Sequence, residues 1–562
     1  MRQASKLVII LIVILGIGTI LPLLTNGFFS FHDNTQVERV FEMATALGDK
    51  MFPVRWVSDL GYGYGYPIFN FYGPLPYYIG GALSLIGFNA LVATKIMFVI
   101  GILFSGVTMF YLSKKYFGTV SAVTSSIVYM YFPYHAVNIY VRGAVGEFFA
   151  YAFLPIVFLG LFKFFEISKL KINTNNYFAL LLVVLGVFLV STSHNLSIFM
   201  LMILLVPFLL IATFLTDKKR IFLVLSLGAI VLGLLLSSFY VVPAFVEMGK
   251  TNVSSQIGGG ANFSDHFVCP AQLLDSAWGF GGSTKGCMDG LSFRLGKVNI
   301  FFLVLTLIIL LRVLLRKKIL LQDKLAFISS ILLLLSVFLT LSISEVVWKN
   351  ISLMQYIQYP WRFLNFVGLF LSILMGYFVF KLSVFNKRVG VILGFTIILL
   401  TLISNLKLFT PQNYTFYTND YYTNLNHIRF VTSKISDEYL PSGFAIPRSV
   451  SDLPISPVEL LKSSGNIGVV EHKTGYLKAS YQALSDGVIH INYAYFPGWN
   501  AYVNNQSLPI IPTAKGMNIA IPKGEGVLVL KFVQTPVEKV GNILTILAFF
   551  VLLIGIIKSA KN

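Results

Sequence analysis

Residues 197–216 read SIFMLMILLVPFLLIATFLT, a run without a single charge, and Asp217, Lys218, Lys219 and Arg220 follow it directly. Twenty apolar residues in a helix span about 30 Å, the hydrocarbon thickness of a bilayer. A basic cluster at one end is typical of the cytoplasmic end of a membrane helix. Because the pattern recurs along the chain, the sequence predicts a polytopic α-helical membrane protein.

The composition of the 562-residue chain also indicates that lipid is its main solvent. Hydrophobic residues make up 56% of the chain and charged residues 12%, which is about half the charged share of a soluble globular protein. The formal net charge of +19 would also suit a nucleic-acid-binding protein, but the basic residues lie in short clusters between apolar runs. We therefore predict a membrane protein without a nucleic-acid partner.

About a dozen apolar runs are long enough to cross a bilayer, at roughly 17–25 residues each. The first run follows Arg2 and Lys6 without a small-residue cleavage site, so we predict a retained helix rather than a signal peptide. Segment 75–88 is shorter and is predicted to be a helix at the membrane surface. The predicted spans are 7–24, 91–112, 119–134, 148–166, 177–194, 197–216, 221–243, 298–315, 324–343, 361–381, 388–408 and 537–558.

The distribution of basic residues predicts which side each loop faces. With a cytoplasmic N-terminus, the inner segments hold 20 Lys and Arg in 57 residues and the outer loops hold 10 in 152. Because basic residues are enriched on the cytoplasmic side, both termini are predicted to be cytoplasmic in the cell membrane. The main outer regions are then 25–90, 135–147, 244–297 and a tail near 409–536.

The sequence divides into three predicted parts. A transmembrane domain covers 1–408, a β-sandwich-like extracytoplasmic domain covers 409–536, and a final helix with a short cytoplasmic tail covers 537–562. Alternating apolar residues at 488–493, 518–521 and 527–532 indicate strands, and the segments 504–505 and 523–526 indicate turns. The two cysteines, Cys269 and Cys287, form either a disulfide or two free thiols.

The first outer loop opens with His32 and Asp33. A carboxylate at this position can accept a proton from a bound hydroxyl group or hold a cation. Alternatively, Asp33 caps the helix predicted over 37–47. Both roles fit its position immediately after the first span.

Other polar residues occur where the chain meets the predicted outer surface. Arg142 and Glu147 either pair with each other or face a polar cavity, in which the guanidinium group would suit a phosphate. Arg362 is either an interfacial anchor or a second phosphate ligand. His194 is either a packing residue or part of a site, and Glu247 follows a span at its outer end. Because the topology brings these groups to one membrane level, it predicts a site there.

The order of the motifs resembles the GT-C superfamily of membrane glycosyltransferases. Within it, the chain is similar to YfhO-like proteins and to the membrane family related to 6-pyruvoyl-tetrahydropterin synthase. The motifs are Gly-Tyr-Gly-Tyr-Pro at 63–67 running into Phe-Tyr-Gly-Pro-Leu-Pro-Tyr at 71–77, with the segments 32–33, 142–147, 193–195, 358–363, 437–441 and 495–499.

The resemblance implies an inverting transferase that moves a sugar from a polyprenyl-phosphate donor to an envelope glycan, lipid or protein acceptor outside the membrane. Asp33 would be the catalytic base, and Arg142 and Arg362 would stabilise the departing phosphate. The residues that would bind or orient ligands are His32, Glu147, His194, Glu247, Gln358 and Tyr359.

The resemblance does not decide whether the activity depends on a metal ion. Many members of the superfamily have paired acids in the first outer loop, whereas the neighbour of Asp33 here is His32. A divalent metal held by these two residues is one alternative, and a site without a cofactor is the other. Pterin chemistry is not implied, because soluble pterin synthases hold zinc with histidines and the seven histidines here show no ligand spacing.

Two other functions fit the sequence. One is a transporter or flippase for lipid-linked saccharides, although transporters place their polar groups near the bilayer midplane. The other is a non-catalytic scaffold for envelope assembly, with the β-rich tail as its binding module.

Overall fold

The computed structural model describes residues 2–167, 174–253, 258–315 and 319–561. A helix lies at each of the predicted spans. These long helices are Arg2–Gly16, Ala90–Phe117, Thr119–Met130, Val145–Lys163, Thr174–Ser193, Asn195–Leu215, Lys219–Leu236, Lys297–Leu314, Leu321–Thr340, Leu364–Phe385, Lys387–Asn405 and Pro536–Lys561. The predicted polytopic α-helical fold is confirmed.

Within the described ranges, nine helices are long and apolar enough to cross a membrane. Of the other three predicted spans, one corresponds to the helix Lys297–Leu314, and two are shorter apolar helices, Lys6–Thr19 and Thr119–Met130. The second ends just before Pro133, and a proline ring interrupts the hydrogen-bond ladder of a helix. A helix of 12 residues rises about 18 Å, which is less than the hydrocarbon thickness.

Shorter helices connect the long ones. The segment predicted to lie at the membrane surface, 75–88, contains the helix Leu75–Leu85, whose length of about 16 Å is too short to cross a bilayer. The other short α-helices are Gln36–Gly48, Ile68–Phe71, Pro133–Ala136, Ser238–Val246, Pro270–Leu274, Glu345–Asn350 and Asn419–Thr423. Two π-helical turns occupy Val137–Val141 and His427–Thr432.

The helices differ in how deeply they are buried. Of the nine long apolar helices, Pro360–Phe385 is the most buried, and Pro536–Ser559 is the most exposed. The first therefore forms the centre of the helical part, and it carries Arg362 at its beginning. The second lies at the periphery and leads out of the β-rich region.

The described strands form one small ribbon and two sheets. They are β1 (Phe28–Phe29), β2 (Tyr414–Thr415), β3 (Val458–Leu461), β4 (Gly465–Lys473), β5 (Tyr476–Ala483), β6 (Gly487–Ile491), β7 (Trp499–Val503), β8 (Gln506–Leu508), β9 (Ile511–Thr513), β10 (Gly516–Ile521) and β11 (Gly524–Phe532). The sheet orders are β3-β6-β10-β9 and β4-β5-β11-β7-β8, and all pairs are antiparallel.

Alternate residues are buried along β5, β6, β7 and β10, which is typical of two sheets packed face to face. The predicted β-rich C-terminal region is therefore confirmed, with its first sandwich strand at Val458. The chain between 409 and 457 instead returns to the first outer loop, where β2 pairs with β1 and Arg429 forms a 2.7 Å ion pair with Asp59. The exact domain limits stay a prediction.

Both predicted turns are present. The first joins two strands of one sheet, and the second joins strands of different sheets. Asn504 and Asn505 have φ values of 47° and 66° and join β7 to β8 in a two-residue hairpin, which requires this left-handed backbone. The segment 523–526 contains the start of β11 and joins it to β10, which belongs to the other sheet. This second turn is therefore a crossover between sheets rather than a hairpin.

Candidate functional site

Glu147 lies in the first turn of the helix Val145–Lys163 and binds two arginines. Arg142 donates to its carboxylate through both terminal nitrogens, at 2.9 and 2.8 Å. Arg362 Nε lies 2.9 Å from Oε1 of the same carboxylate. Glu147 is 1% exposed, and both arginines are buried. Of the two alternatives for Arg142 and Glu147, the structure shows mutual pairing, and it extends the pair to Arg362.

Two buried asparagines complete this network. Asn138 accepts a 2.7 Å hydrogen bond from Arg142 Nη1 and donates one of 2.8 Å to Asn365. Asn365 in turn donates to Glu147 Oε2 at 3.3 Å. Neither asparagine is among the residues predicted from the sequence. A sequence signal was present, since one isolated amide stands four residues before Arg142 and another three residues after Arg362. A polar side chain among apolar helices needs a partner.

Aromatic rings cover both guanidinium groups. The Arg142 guanidinium lies 4.7 Å from the centre of the Trp361 ring, and that of Arg362 lies 5.0 Å from the centre of the Tyr359 ring. These two rings stack at 4.8 Å, and such cation–π contacts hold a guanidinium plane in place. Gln358 accepts a 3.3 Å hydrogen bond from Arg362. The structure therefore brings the residues of this predicted motif together.

Asp33 lies beside the network, and its backbone is fixed to it. The backbone N–H groups of His32 and Asp33 donate to the carbonyl groups of Val141 and Arg142, both at 3.0 Å. Burial alone would lower the pKa of Arg142. The carboxylates of Glu147 and Asp33 outweigh this effect and hold the pKa above its ordinary value. Arg142 is therefore charged, with the Asp33 carboxylate within Coulombic reach.

The alternative in which Asp33 caps the next helix is wrong. The residue before the helix Gln36–Gly48 is Thr35, and no side chain caps it. Within the part of the chain that the structure describes, the half-buried Asp33 carboxylate forms no hydrogen bond or ion pair. Burial raises the pKa of the Tyr72 and Tyr77 hydroxyl groups, and Asp33 raises both further. The site thus combines an unpaired carboxylate with two protonated hydroxyl groups.

Further buried polar side chains lie on or beside the helix Gln36–Gly48, which begins shortly after Asp33. Tyr77 donates a 2.5 Å hydrogen bond to Gln36, and Arg39 donates one of 2.7 Å to Ser436. None of these four residues is predicted from the sequence as a site residue. The bond of Arg39 depends on a contact between the first loop and the tail, and that of Tyr77 joins residues 41 positions apart within the first loop. No local pattern contains either contact.

Gly143 allows the first and second outer loops to approach closely. Its φ is +64°, and a Cβ atom there would lie 2.1 Å from the ring of Phe31. Phe31 immediately precedes the segment that carries Asp33. The absence of a side chain at Gly143 therefore helps to set the position of that carboxylate.

We expect Gly143→Ala to lower the apparent unfolding temperature of the purified protein in detergent. A left-handed backbone costs an alanine about 1–2 kcal/mol, and the ring of Phe31 must also move. Gly443→Ala is a matched control, because Gly443 has a φ of +80° and nothing within 4 Å of the added Cβ atom. Equal losses in the two variants would show that the contact with Phe31 contributes nothing.

His32 contacts the cysteine-bearing loop. Its Nε2 lies 2.8 Å from the carbonyl oxygen of Phe280. Cys269 and Cys287 form a disulfide, so the alternative of two free thiols is wrong. The cross-linked loop also provides the hydroxyl group of Ser283, which accepts a 3.1 Å hydrogen bond from the Trp361 indole. This loop therefore covers the site on the side of His32 and Trp361.

The described side chains around Asp33 do not form a complete set of metal ligands. Among the residues that the structure describes, no group of three or more His, Cys, Asp and Glu side chains is arranged to hold a metal ion. The imidazole of His32 is engaged with a backbone carbonyl group. These two residues alone do not complete a metal site, and the divalent metal stays a prediction.

His194 lies close to Glu147. A Cβ atom on Gly146 would lie 3.1 Å from the His194 ring, and Nδ1 of the ring lies 2.9 Å from the Ser197 hydroxyl group. Burial lowers the pKa of His194 to about 3, although the Glu147 carboxylate opposes the shift. The imidazole is therefore neutral near pH 7, and it can orient a ligand by hydrogen bonding but not by charge.

Glu247 lies in a separate polar cluster. Its carboxylate accepts a 2.8 Å hydrogen bond from Lys250 and lies within Coulombic reach of Arg55 and Glu538. Asn70 connects these last two residues, accepting from Arg55 at 2.9 Å and donating to Glu538 at 2.7 Å. The neighbours of Glu247 are thus the start of the last helix and the first loop, and its part in the site stays a prediction.

Solved structures of two enzymes are similar to this chain. The crystal structure of the Archaeoglobus fulgidus oligosaccharyltransferase in the apo form is 13% identical, with a TM-score of 0.48 over 81% of this chain and 61% of that one. The cryo-EM structure of the arabinofuranosyltransferase AftD from Mycobacteria is 14% identical, with a TM-score of 0.48 over 76% of this chain and 28% of that one. The chain thus covers less than two thirds of either protein, and likenesses this distant assign no activity to it.

The sequence itself places the chain in a family. No curated protein matches it significantly. Residues 69–410 match the family model described as "6-pyruvoyl-tetrahydropterin synthase related domain; membrane protein". This match covers more than half of the chain, which therefore belongs to the membrane protein family related to 6-pyruvoyl-tetrahydropterin synthase.

Proposed function

We propose that this membrane protein is a glycosyltransferase of the GT-C type, which moves a sugar from a polyprenyl-phosphate donor to an acceptor of the cell envelope. Its site would face the extracytoplasmic side of the cell membrane, with both termini in the cytoplasm. The observation that carries the proposal is the Asp33 carboxylate, which forms no hydrogen bond or ion pair with any described residue. Its backbone is fixed to that of Arg142. The order of the motifs and the net charge of the buried network support it.

In the proposed reaction, Asp33 accepts the proton of the acceptor hydroxyl group. The acceptor oxygen attacks the anomeric carbon of the donor and forms the new glycosidic bond. The bond between that carbon and the phosphate oxygen breaks, and its electron pair leaves with the polyprenyl phosphate. A single displacement of this kind inverts the configuration of the anomeric carbon. A base that is fixed by its backbone and has no competing partner among the described residues suits this step.

The arginine network would act on the departing phosphate. Arg142 and Arg362 share one carboxylate, that of Glu147, so the group of three keeps one net positive charge. Fixed positive charge in a buried site stabilises negative charge that develops on a leaving group. The hydroxyl groups of Tyr72 and Tyr77 stay protonated beside this site.

The proposal predicts the release of polyprenyl phosphate by the purified protein. The protein would be incubated with a panel of polyprenyl-phosphate sugars and an envelope extract as the source of acceptors, with and without divalent cations. Lipid products would be measured by mass spectrometry. We expect at least one donor to yield free polyprenyl phosphate only when acceptor is present. If folded protein releases no polyprenyl phosphate from any donor, the proposal fails, and the arm without cations tests the metal separately.

A further inference from the structure

The outward face of the five-stranded sheet carries an open groove of about 660 Å³. Lys478, Val529 and Tyr502 stand opposite one another on the three neighbouring strands β5, β11 and β7. Tyr476 and Lys531 form the next row. Because residues two apart on a strand point to the same face, these side chains line one surface.

The residues of this groove combine aromatic, amide and basic groups. Tyr476 and Tyr502 are partly exposed, so each presents a flat apolar ring together with a polar hydroxyl group. Asn504 lies exposed at one end. Its Oδ1 accepts a 2.9 Å hydrogen bond from the Val527 N–H, and its amide N–H₂ group is a donor. A surface of this kind suits a saccharide, whose rings have apolar faces and polar edges.

The positive charge of the groove favours an acidic partner. Among the residues that the structure describes, neither Lys478 nor Lys531 forms an ion pair, and Lys531 Nζ lies 6.0 Å from the centre of the Tyr476 ring. Glu471 stands opposite Lys478 on β4, but it is engaged by Lys473 at 2.6 Å. The two groove lysines therefore give this face a positive charge without a neutralising partner.

We propose that this groove binds an acidic glycan, a saccharide chain that bears carboxylate groups. In the transferase proposed above, such a chain would be the acceptor, held by the β-rich region while its end reaches Asp33. The acceptor role rests on that proposed function, whereas the binding itself does not.

Binding would be measured with the full chain in nanodiscs of zwitterionic lipid, without any sugar donor. The probe is a fluorescent oligogalacturonate, and maltooligosaccharide of the same length is the neutral control. We expect Tyr502→Ala, and the double variant Lys478→Ala with Lys531→Ala, each to weaken oligogalacturonate binding at least tenfold. Lys523→Ala is the matched control because Lys523 is exposed in the crossover between sheets, and it should bind as the wild type does.

Equal binding of the neutral and acidic probes, or wild-type binding by both groove variants, would overturn the proposal. A parallel arm replaces the glycan with vesicles that contain anionic lipid. If the groove variants lose vesicle binding but keep oligogalacturonate binding, the groove recognises lipid and the proposal is wrong. Because no donor is present, a failure of the transferase assay would not affect these results.

Discussion

The Glu147→Ala variant is expected to lose about 3–5 kcal/mol of folding free energy, because removing one partner of a buried ion pair leaves the other charge uncompensated. In this case two guanidinium groups would lose their shared carboxylate, and Asn365 would lose an acceptor. The apparent unfolding temperature in detergent should fall steeply. Glu147→Gln keeps the shape of the side chain, and we expect a smaller loss.

Glu166→Ala is the matched control for this experiment. Glu166 pairs with Lys115 at 2.8 Å, but the two side chains are 36% and 38% exposed. An exposed ion pair contributes about 1 kcal/mol or less, so this variant should unfold close to the wild-type temperature. Similar shifts in the alanine variants of Glu147 and Glu166 would contradict the account of a buried, shared carboxylate.

The Asp33→Asn variant is expected to transfer sugar roughly 100- to 10,000-fold more slowly than the wild type, which is the usual contribution of a general base. An amide cannot accept the proton of the acceptor hydroxyl group. The unfolding temperature should not change, because the carboxylate forms no hydrogen bond or ion pair within the described ranges.

This prediction is checked by the initial rate of polyprenyl-phosphate release together with the unfolding temperature. Asp420→Asn is a control acid in the tail, since Asp420 is exposed and outside the proposed site, and it should keep the full rate. A full rate in Asp33→Asn would remove Asp33 as the base. A lost rate accompanied by a lower unfolding temperature would indicate a structural role instead.

Hydropathy and alternation predicted most of the fold, because both patterns follow directly from burial. Each predicted span contains a helix, and the strands predicted at 488–493, 518–521 and 527–532 correspond to β6, β10 and β11. Hydropathy could not show that the helix Thr119–Met130 ends early, since the residues beyond it remain apolar. The membrane family that the motif order resembles is confirmed by the match over residues 69–410.

The candidate site was only partly predictable. Arg142, Glu147 and Arg362 were found because charged residues stand out among apolar helices, and the structure brings the three together. Asn138 and Asn365 were missed because an amide carries no charge, although each bonds directly to this group. Residue type alone therefore identified the charges of the site but not the neutral groups between them.

Long-range contacts account for what local patterns could not decide. Local rules left Asp33 as either a helix cap or a base, whereas its observed position depends on backbone bonds to residues more than a hundred positions away. The contact of His32 with Phe280 spans 248 residues. Glu247 was grouped with the site by its membrane level, but its neighbours Arg55 and Glu538 lie on other elements.

The central claim is that a sugar is transferred and not transported. The most direct measurement uses wild-type protein in vesicles, with acceptor and the active donor labelled with ¹³C at the anomeric carbon, followed by nuclear magnetic resonance. We predict that labelled donor converts in equal amounts into free polyprenyl phosphate and a glycoside of inverted configuration. Labelled sugar that remains on its lipid and appears in the opposite leaflet would contradict this account.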